Sequence, residues 1–418
     1  MTRLAVVTPF LDKQHGTERC VAEQVERLAQ HYGYEIHVYS QRVHDIPWVP
    51  PNEARPGTIA WHKVPKFPGP HLLNFVWWFW ANSSWRARDQ KIRGVRYDLV
   101  YSPGINCLDA DVIAVHIVFT EFYTRVHPAL RLRSNPRKTW PHLLHRRTFY
   151  RLVMGLERSV YPRTETLIAI SQKVANDLKR IYGVQQPIPV VYHGIDSHRF
   201  HSDIPKKFRS TIRQALGHSE KDFILLLIGN DWRKKGLPAV IEALGRLRQA
   251  GLDRIWLWVV GHDQQAPFES WMHHWGVAHR IRFLPPRPDI EVYYAGADLY
   301  VGPSLEDAFA LPPAEAMACG LPVIVSRAAG VSEIITHEYD GWILESPEDS
   351  LALAHLIRRL YENPDLRHAI GLRAARTAQR FTWDRNAAEM HRLFQHAIEK
   401  KRSRRAESPI PQTHTETP

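Results

Sequence analysis

Two acids eight positions apart, Asp307 and Glu315 in DAFALPPAE, frame the chemistry this chain offers. Carboxylates grip hydroxyls through hydrogen bonds or work as acids and bases. Pro312 and Pro313 stand between them, and neither can lie inside a continuous helix, because proline lacks an N–H and its ring collides with the preceding turn. The stretch therefore reads as a buried strand (DLYVGPS), a loop (LEDAFALP) and a helix (PPAEAMACG) opened by proline and closed by Gly320, with Pro322 following. Asp307 is expected on the loop beyond the strand's C-terminal end, and Glu315 in the first turn of the helix. Such a strand end, with the free N–H groups of a helix start nearby, suits an anion. Acids beside an anion site make sense if they hold sugar or ribose hydroxyls. The alternative is a pair of ordinary helix-start acids.

A second stretch, GNDWRKKG at 229–236, sets Arg233, Lys234 and Lys235 between an apolar run and a helix start. Three cations there could neutralise a diphosphate; otherwise they are a solvated turn. His116 sits near the end of the strand expected in DVIAVHIVF, where it would face a cleft and the imidazole could move a proton. A lone histidine among 24 is more often incidental. Gly16, in KQHGTER, could let backbone approach a phosphate or simply turn strand into helix.

The elements that must position these residues alternate along the chain as in α/β proteins. Strands are expected at 3–10, 35–41, 97–104, 111–119 and 166–172, with a helix at 17–33 and another at 139–161. A second series opens at 222–229. It continues with a helix at 237–251, strands at 254–261, 280–285, 298–304 and 322–326, and a closing helix at 386–400. The fold class is α/β, with two Rossmann-like sheets in tandem. At 418 residues the chain is too long for one ordinary core.

Bulk composition narrows the classes. The three cysteines, Cys20, Cys107 and Cys319, lie far apart and make neither a disulfide framework nor a metal-ligand motif, which fits a reducing compartment. The opening MTRLAVVTPFLDK predicts no secretory leader, and no run approaches the roughly 20 apolar residues of a membrane span. Residues 1–190 carry 26 Lys/Arg against 15 Asp/Glu, whereas the rest carries 29 against 28. The basic surface thus belongs to the first half, together with KKRSRR at 400–405, and suggests an anionic partner. Nucleic acid is a poor fit despite a pI near 9.6, since no zinc-finger, RRM or helix-turn-helix pattern is present. Tryptophans beside arginines in FVWWFWANSSWRAR (75–88), and the basic segment 131–151, suit a membrane interface; a buried aromatic helix with a solvated basic face is the other reading.

EDAFALPPAEAMACGLPVIVS closely resembles the signature of retaining glycosyltransferases of family 4, which have the GT-B fold. YYAGADLYVGPS precedes it and AAGVSEIITHEYDGWIL follows, while VVYHGIDSHRF is similar to the family's interdomain NG(V/I)D element. IGNDWRKKGLPAVIEAL resembles its phosphate loop and FTWDRNAAEMHRLF its crossover helix. The resemblance implies two Rossmann-like domains facing a cleft. An acceptor-binding domain would span 1–186 and a nucleotide-sugar-binding domain 187–381; a crossover helix would span 382–400 and a disordered tail 401–418. It implies transfer from a nucleoside-diphosphate sugar to an acceptor hydroxyl with retained configuration, with no metal or other cofactor. In that scheme Lys235, with Arg233 or Lys234, binds the diphosphate, and Glu315 the ribose. Asp307 contacts the transferred sugar, beside the backbone of Phe309, Ala310 and Leu311; Gly16 belongs to the N-terminal phosphate-approach loop, and His116 to the active site.

The departures are Asp307 where the family has Glu, Ala308 and Ala310 where it has glycine, and Asn230 where it has Arg. The last resembles the branch containing lipopolysaccharide core glucosyltransferases, which points to a lipopolysaccharide, polysaccharide or lipid-linked acceptor and a cytoplasmic protein peripheral to the inner face of the membrane. A catalytically silent partner subunit and a soluble sugar synthase of the same fold are the alternatives.

Overall fold

Short runs of three to six residues build two six-stranded sheets in a computed structural model that describes residues 2–14, 16–126 and 140–407. Across the first sheet the strands are Ile59–Lys63, Glu35–Ser40, Arg3–Val7, Leu99–Pro103, Val112–Val115 and Thr166–Ala169. Across the second they are Ile281–Leu284, Ile255–Val260, Phe223–Ile228, Leu299–Gly302, Val323–Ser326 and Trp342–Leu344. Every pairing in both is parallel. Helices cover both faces of such sheets, so their strands are largely apolar rather than alternating; all six residues of FILLLI are buried.

Each sheet opens with its third strand in space and then reverses direction. The crevice at that reversal, beyond the strands' C-terminal ends, is where open α/β sheets hold ligands. In the first sheet it lies between Arg3–Val7 and Leu99–Pro103; in the second, between Phe223–Ile228 and Leu299–Gly302.

The last helix, Trp383–Glu407, returns to the first sheet. Met390, Leu393, Phe394, Ala397 and Ile398 join the core formed by Val6, Val25 and Tyr101, and the buried Gln24 amide donates to Asn386 at 2.9 Å. The helix runs past residue 400, which corrects the expected start of a disordered tail. Lys401 and Arg402 are ion-paired to Asp111 and Asp98 at 2.6 and 3.1 Å, so this part of the basic tail is tied to the ends of strands. Residues 408–418 lie outside the described residues, as do 131–139 of the basic segment.

Periodicity missed the short strands Ile59–Lys63 and Trp342–Leu344, and understated the helix His71–Arg93 around the aromatic stretch. That helix satisfies both readings of its tryptophans. Trp78, Ala81, Asn82, Arg86 and Asp89 recur every three or four residues and are buried. Leu73, Val76 and Trp80 are 52, 54 and 59% exposed. Among the described residues no helix is long and apolar enough to cross a membrane.

Candidate active site

The basic loop 229–236 is pressed into place by glycines. A Cβ on Gly236, at φ +83°, would lie 2.0 Å from the Pro303 carbonyl oxygen, and one on Gly261 would lie 2.2 Å from that of Gly229. Only glycine permits such backbone contact. Asn230, the departure from the usual arginine, accepts from the His262 N–H at 2.8 Å. Asp263 accepts from the Trp232 N–H at 2.8 Å. Leu305 N–H donates to the Lys234 carbonyl at 2.8 Å, joining this loop to the acidic one.

The three cations then diverge. Lys235 meets Asp307 at 2.5 Å, and Lys234 meets Glu306 at 3.1 Å. Arg233 turns aside and lies over the Trp271 ring, 5.4 Å from its centre. Between Arg233 and Lys234 as the second cation, the geometry places Lys234 beside the acids. Burial works to raise the Asp307 carboxyl, but the charges of Lys235 and Lys234, with hydrogen bonds from Lys235 and the Phe309 N–H, hold it below the ordinary carboxylate range.

The acidic loop is stitched to the segment after the next strand. Asp307 N–H donates to Ala328, Gly330 N–H to the Asp307 carbonyl, and Val331 N–H to the Phe309 carbonyl, at 3.2, 3.0 and 2.7 Å. Ala310 turns the chain at φ +72° and ψ +99°, a conformation glycine would adopt without strain. Leu311 then opens the helix Leu311–Ala318. Glu315 is therefore in the second turn, not the first, because the helix starts one residue before the prolines. Its carboxylate accepts from the buried Tyr294 hydroxyl at 2.8 Å and pairs with Arg19 of the first domain, also at 2.8 Å. Burial pushes the Tyr300 hydroxyl far above its ordinary value, and the charges of Asp307 and Glu315 add to that rise.

The first domain supplies the opposite wall. Gly16 is the first residue of the helix Gly16–Tyr32, and a Cβ there would meet nothing within 4 Å. Among the described residues its lack of a side chain thus relieves no contact. His116 follows the strand Val112–Val115 and faces His193, with ring centres 5.5 Å apart. Burial lowers His116 to about 4, and burial together with His116 lowers His193 well below its ordinary value. The domains touch where Glu333 accepts the N–H groups of Gln172 and Lys173, at 2.6 and 2.7 Å, at the start of the helix Gln172–Tyr182. Gly330 fits there with no room for a Cβ, which would lie 2.8 Å from that of Ser171.

Sequence reasoning missed Arg19, His193, Tyr294 and Lys173, whose ammonium also pairs with Glu306 at 3.2 Å. Arg19 and Glu315 are 296 residues apart, and no local pattern links them. His193 carried a weak signal, since it occupies the first position of the interdomain element.

Residues 15–199 match the family described as Glycosyltransferase Family 4, and 208–377 that described as Glycosyl transferases group 1. The chain belongs to the family 4, group 1 glycosyltransferases. The D-inositol 3-phosphate glycosyltransferase of Xylanimonas cellulosilytica is 29% identical over 59% of this chain and 61% of its own. The lipopolysaccharide glucosyltransferase WaaG of Escherichia coli is 27% identical over 53% and 60%. The chain thus spans about three fifths of the curated relatives it matches. In solved structures, WaaG, a glycosyltransferase involved in lipopolysaccharide biosynthesis, superposes with a TM-score of 0.72 at 22% identity, over 93% of this chain and 99% of that one. Anabaena HepE in complex with UDP and glucose gives 0.65 at 19%, over 94% and 99%. These likenesses establish the GT-B fold of this glycosyltransferase.

Proposed function

We propose that this glycosyltransferase takes a sugar from a nucleoside-diphosphate donor and passes it, with retained configuration and no resident metal, to a hydroxyl of a lipopolysaccharide, polysaccharide or lipid-linked glycan. The observation that carries the reading is the pairing of Lys235 with Asp307 and Lys234 with Glu306 at the reversal of the second sheet. An arriving diphosphate would draw both ammonium groups to itself and supply the charge balance the acids now provide. Glu315, freed from Arg19, would hold ribose hydroxyls, and Asp307 a hydroxyl of the sugar. His116, neutral in its buried place, would accept or donate one hydrogen bond at the reacting sugar. In the transfer, the anomeric C–O bond to the diphosphate breaks and one to the acceptor oxygen forms on the same face. The acceptor's proton passes to the leaving phosphate oxygen. HepE was solved with UDP-glucose, which is in keeping with a nucleotide-sugar site in this fold.

The basic first half and the exposed Leu73, Val76 and Trp80 favour an anionic, lipid-bearing acceptor and a place on the inner face of the membrane. A thermal-shift screen against UDP, GDP and ADP tests the donor site. One nucleotide should raise the melting temperature in proportion to the logarithm of its concentration, and Glu315→Ala and Lys235→Ala should each abolish that rise. No shift with any nucleotide would refute the donor assignment. Turnover of the matching sugar nucleotide, with the product's anomeric configuration read by NMR, separates an enzyme from a silent partner subunit.

A further inference from the structure

Cys20, His116 and His193 come together from three parts of the chain: the first turns of the helix Gly16–Tyr32, the end of the strand Val112–Val115, and the interdomain connection. One ligand atom from each, a sulfur and two ring nitrogens, all lie within 4.8 Å of one another. Cys20 is fully buried, and His116 and His193 are 6 and 5% exposed. Among the described residues, neither ring nitrogen of His116 nor either of His193 has a hydrogen-bond partner. Buried imidazoles normally satisfy at least one nitrogen, and a set that does not asks for an unseen occupant. Water would serve one such ring. Two rings converging on a thiol form a donor set with soft and borderline character.

We propose that Cys20, His116 and His193 form a binding site for a soft divalent cation of the zinc class, and that filling it blocks the cleft. Such cations take thiolate and imidazole ligands in tetrahedral array at about 2.3 and 2.0–2.1 Å. A filled site would hold the three ligand atoms roughly 3.3–3.7 Å apart. Closing from within 4.8 Å asks only for small rotations of the three side chains. On binding, the thiol gives its proton to solvent and a cation–thiolate bond forms, leaving a net charge of +1. All three residues are buried, so entry of the cation requires the surrounding elements to part. The site is distinct from the Lys234, Lys235 and Glu315 set that would hold a donor. The blocking half of the proposal rests on His116 serving the sugar, as inferred above; the binding half does not.

Cobalt(II) titrated into the full-length, reduced, metal-free protein tests binding without any turnover. One equivalent should produce tetrahedral visible bands and a thiolate charge-transfer band, and zinc should displace them. Cys20→Ala should remove the charge-transfer band, and His193→Gln should weaken cobalt binding at least tenfold. Circular dichroism confirms that each variant folds. Absence of the bands, or a charge-transfer band that survives Cys20→Ala, overturns the site. Zinc should lower turnover of wild type at least tenfold more than that of Cys20→Ala, which keeps its basal rate. Equal inhibition of the two overturns the blocking role, while cobalt spectra still judge the binding.

Discussion

Replacing Lys235 by methionine would leave Asp307 with its charge in a largely buried place. The two groups are 2.5 Å apart, and their side chains are 19 and 15% exposed. At an effective dielectric constant of about 20, unit charges at that distance attract by roughly 6–7 kcal/mol. Desolvation of the two ions offsets most of this, so the intact pair contributes modestly while a broken one costs about 3–5 kcal/mol. Lys234 and the Phe309 N–H still support Asp307, which places Lys235→Met near ~3 kcal/mol of destabilisation. Asp307→Asn costs less, about 1 kcal/mol, because the flexible lysine can swing to water. The double variant should cost about 2 kcal/mol, for a coupling of about 2 kcal/mol. Urea unfolding of the four proteins, without nucleotide, followed by tryptophan fluorescence and circular dichroism, measures this. Additivity within ~0.5 kcal/mol would refute the pairing. Acid provides a second check. Because the folded Asp307 carboxyl sits below its unfolded value of about 3.9, its stabilisation is present above that pH and is lost as pH falls through the folded value. Wild type should therefore lose more stability than Asp307→Asn as the pH is lowered below 4.

Ala310→Gly should stabilise the protein by about 0.5–1 kcal/mol in the same urea assay, since relief of a strained positive φ exceeds glycine's entropic cost; a loss of stability would mean the turn is unstrained. Gly236→Ala should destabilise by about 2–4 kcal/mol, from the positive φ and the overlap with Pro303, and should weaken nucleotide-induced thermal shifts by displacing Lys234 and Lys235. In the first domain, burial lowers His62 to about 4 although Asp89 lies 2.5 Å away. The unfolded chain then binds the proton first, so stability should fall between pH 6.5 and 4, by on the order of 2–3 kcal/mol. His62→Gln should make that part of the profile less steep, with the other buried histidines, His116 and His193, keeping the remainder.

Much of this molecule follows from short-range pattern. Apolar runs such as FILLLI and LYVG specify parallel strands because both faces of the sheets are covered, and proline and glycine punctuation places the helix that carries Glu315. The same local chemistry puts Lys234, Lys235 and Asp307 at strand ends, where a cleft must open. Strand Trp342–Leu344 escaped because three residues carry no period, and the last helix outran its apolar pattern because Lys401 and Arg402 find acids in the first domain. Tertiary structure alone decided which lysine meets which acid, that Arg233 stacks on Trp271 instead, that Arg19 reaches Glu315, and that His193 stands against His116. The physical reason is common to all four. Burial and backbone pairing act over a few residues and leave a periodic trace. Partners carried on separate elements lie tens to hundreds of residues apart, within the second domain for the lysines, Arg233 and their partners and across the cleft for Arg19 and Glu315, and their attraction exists only once those elements are packed.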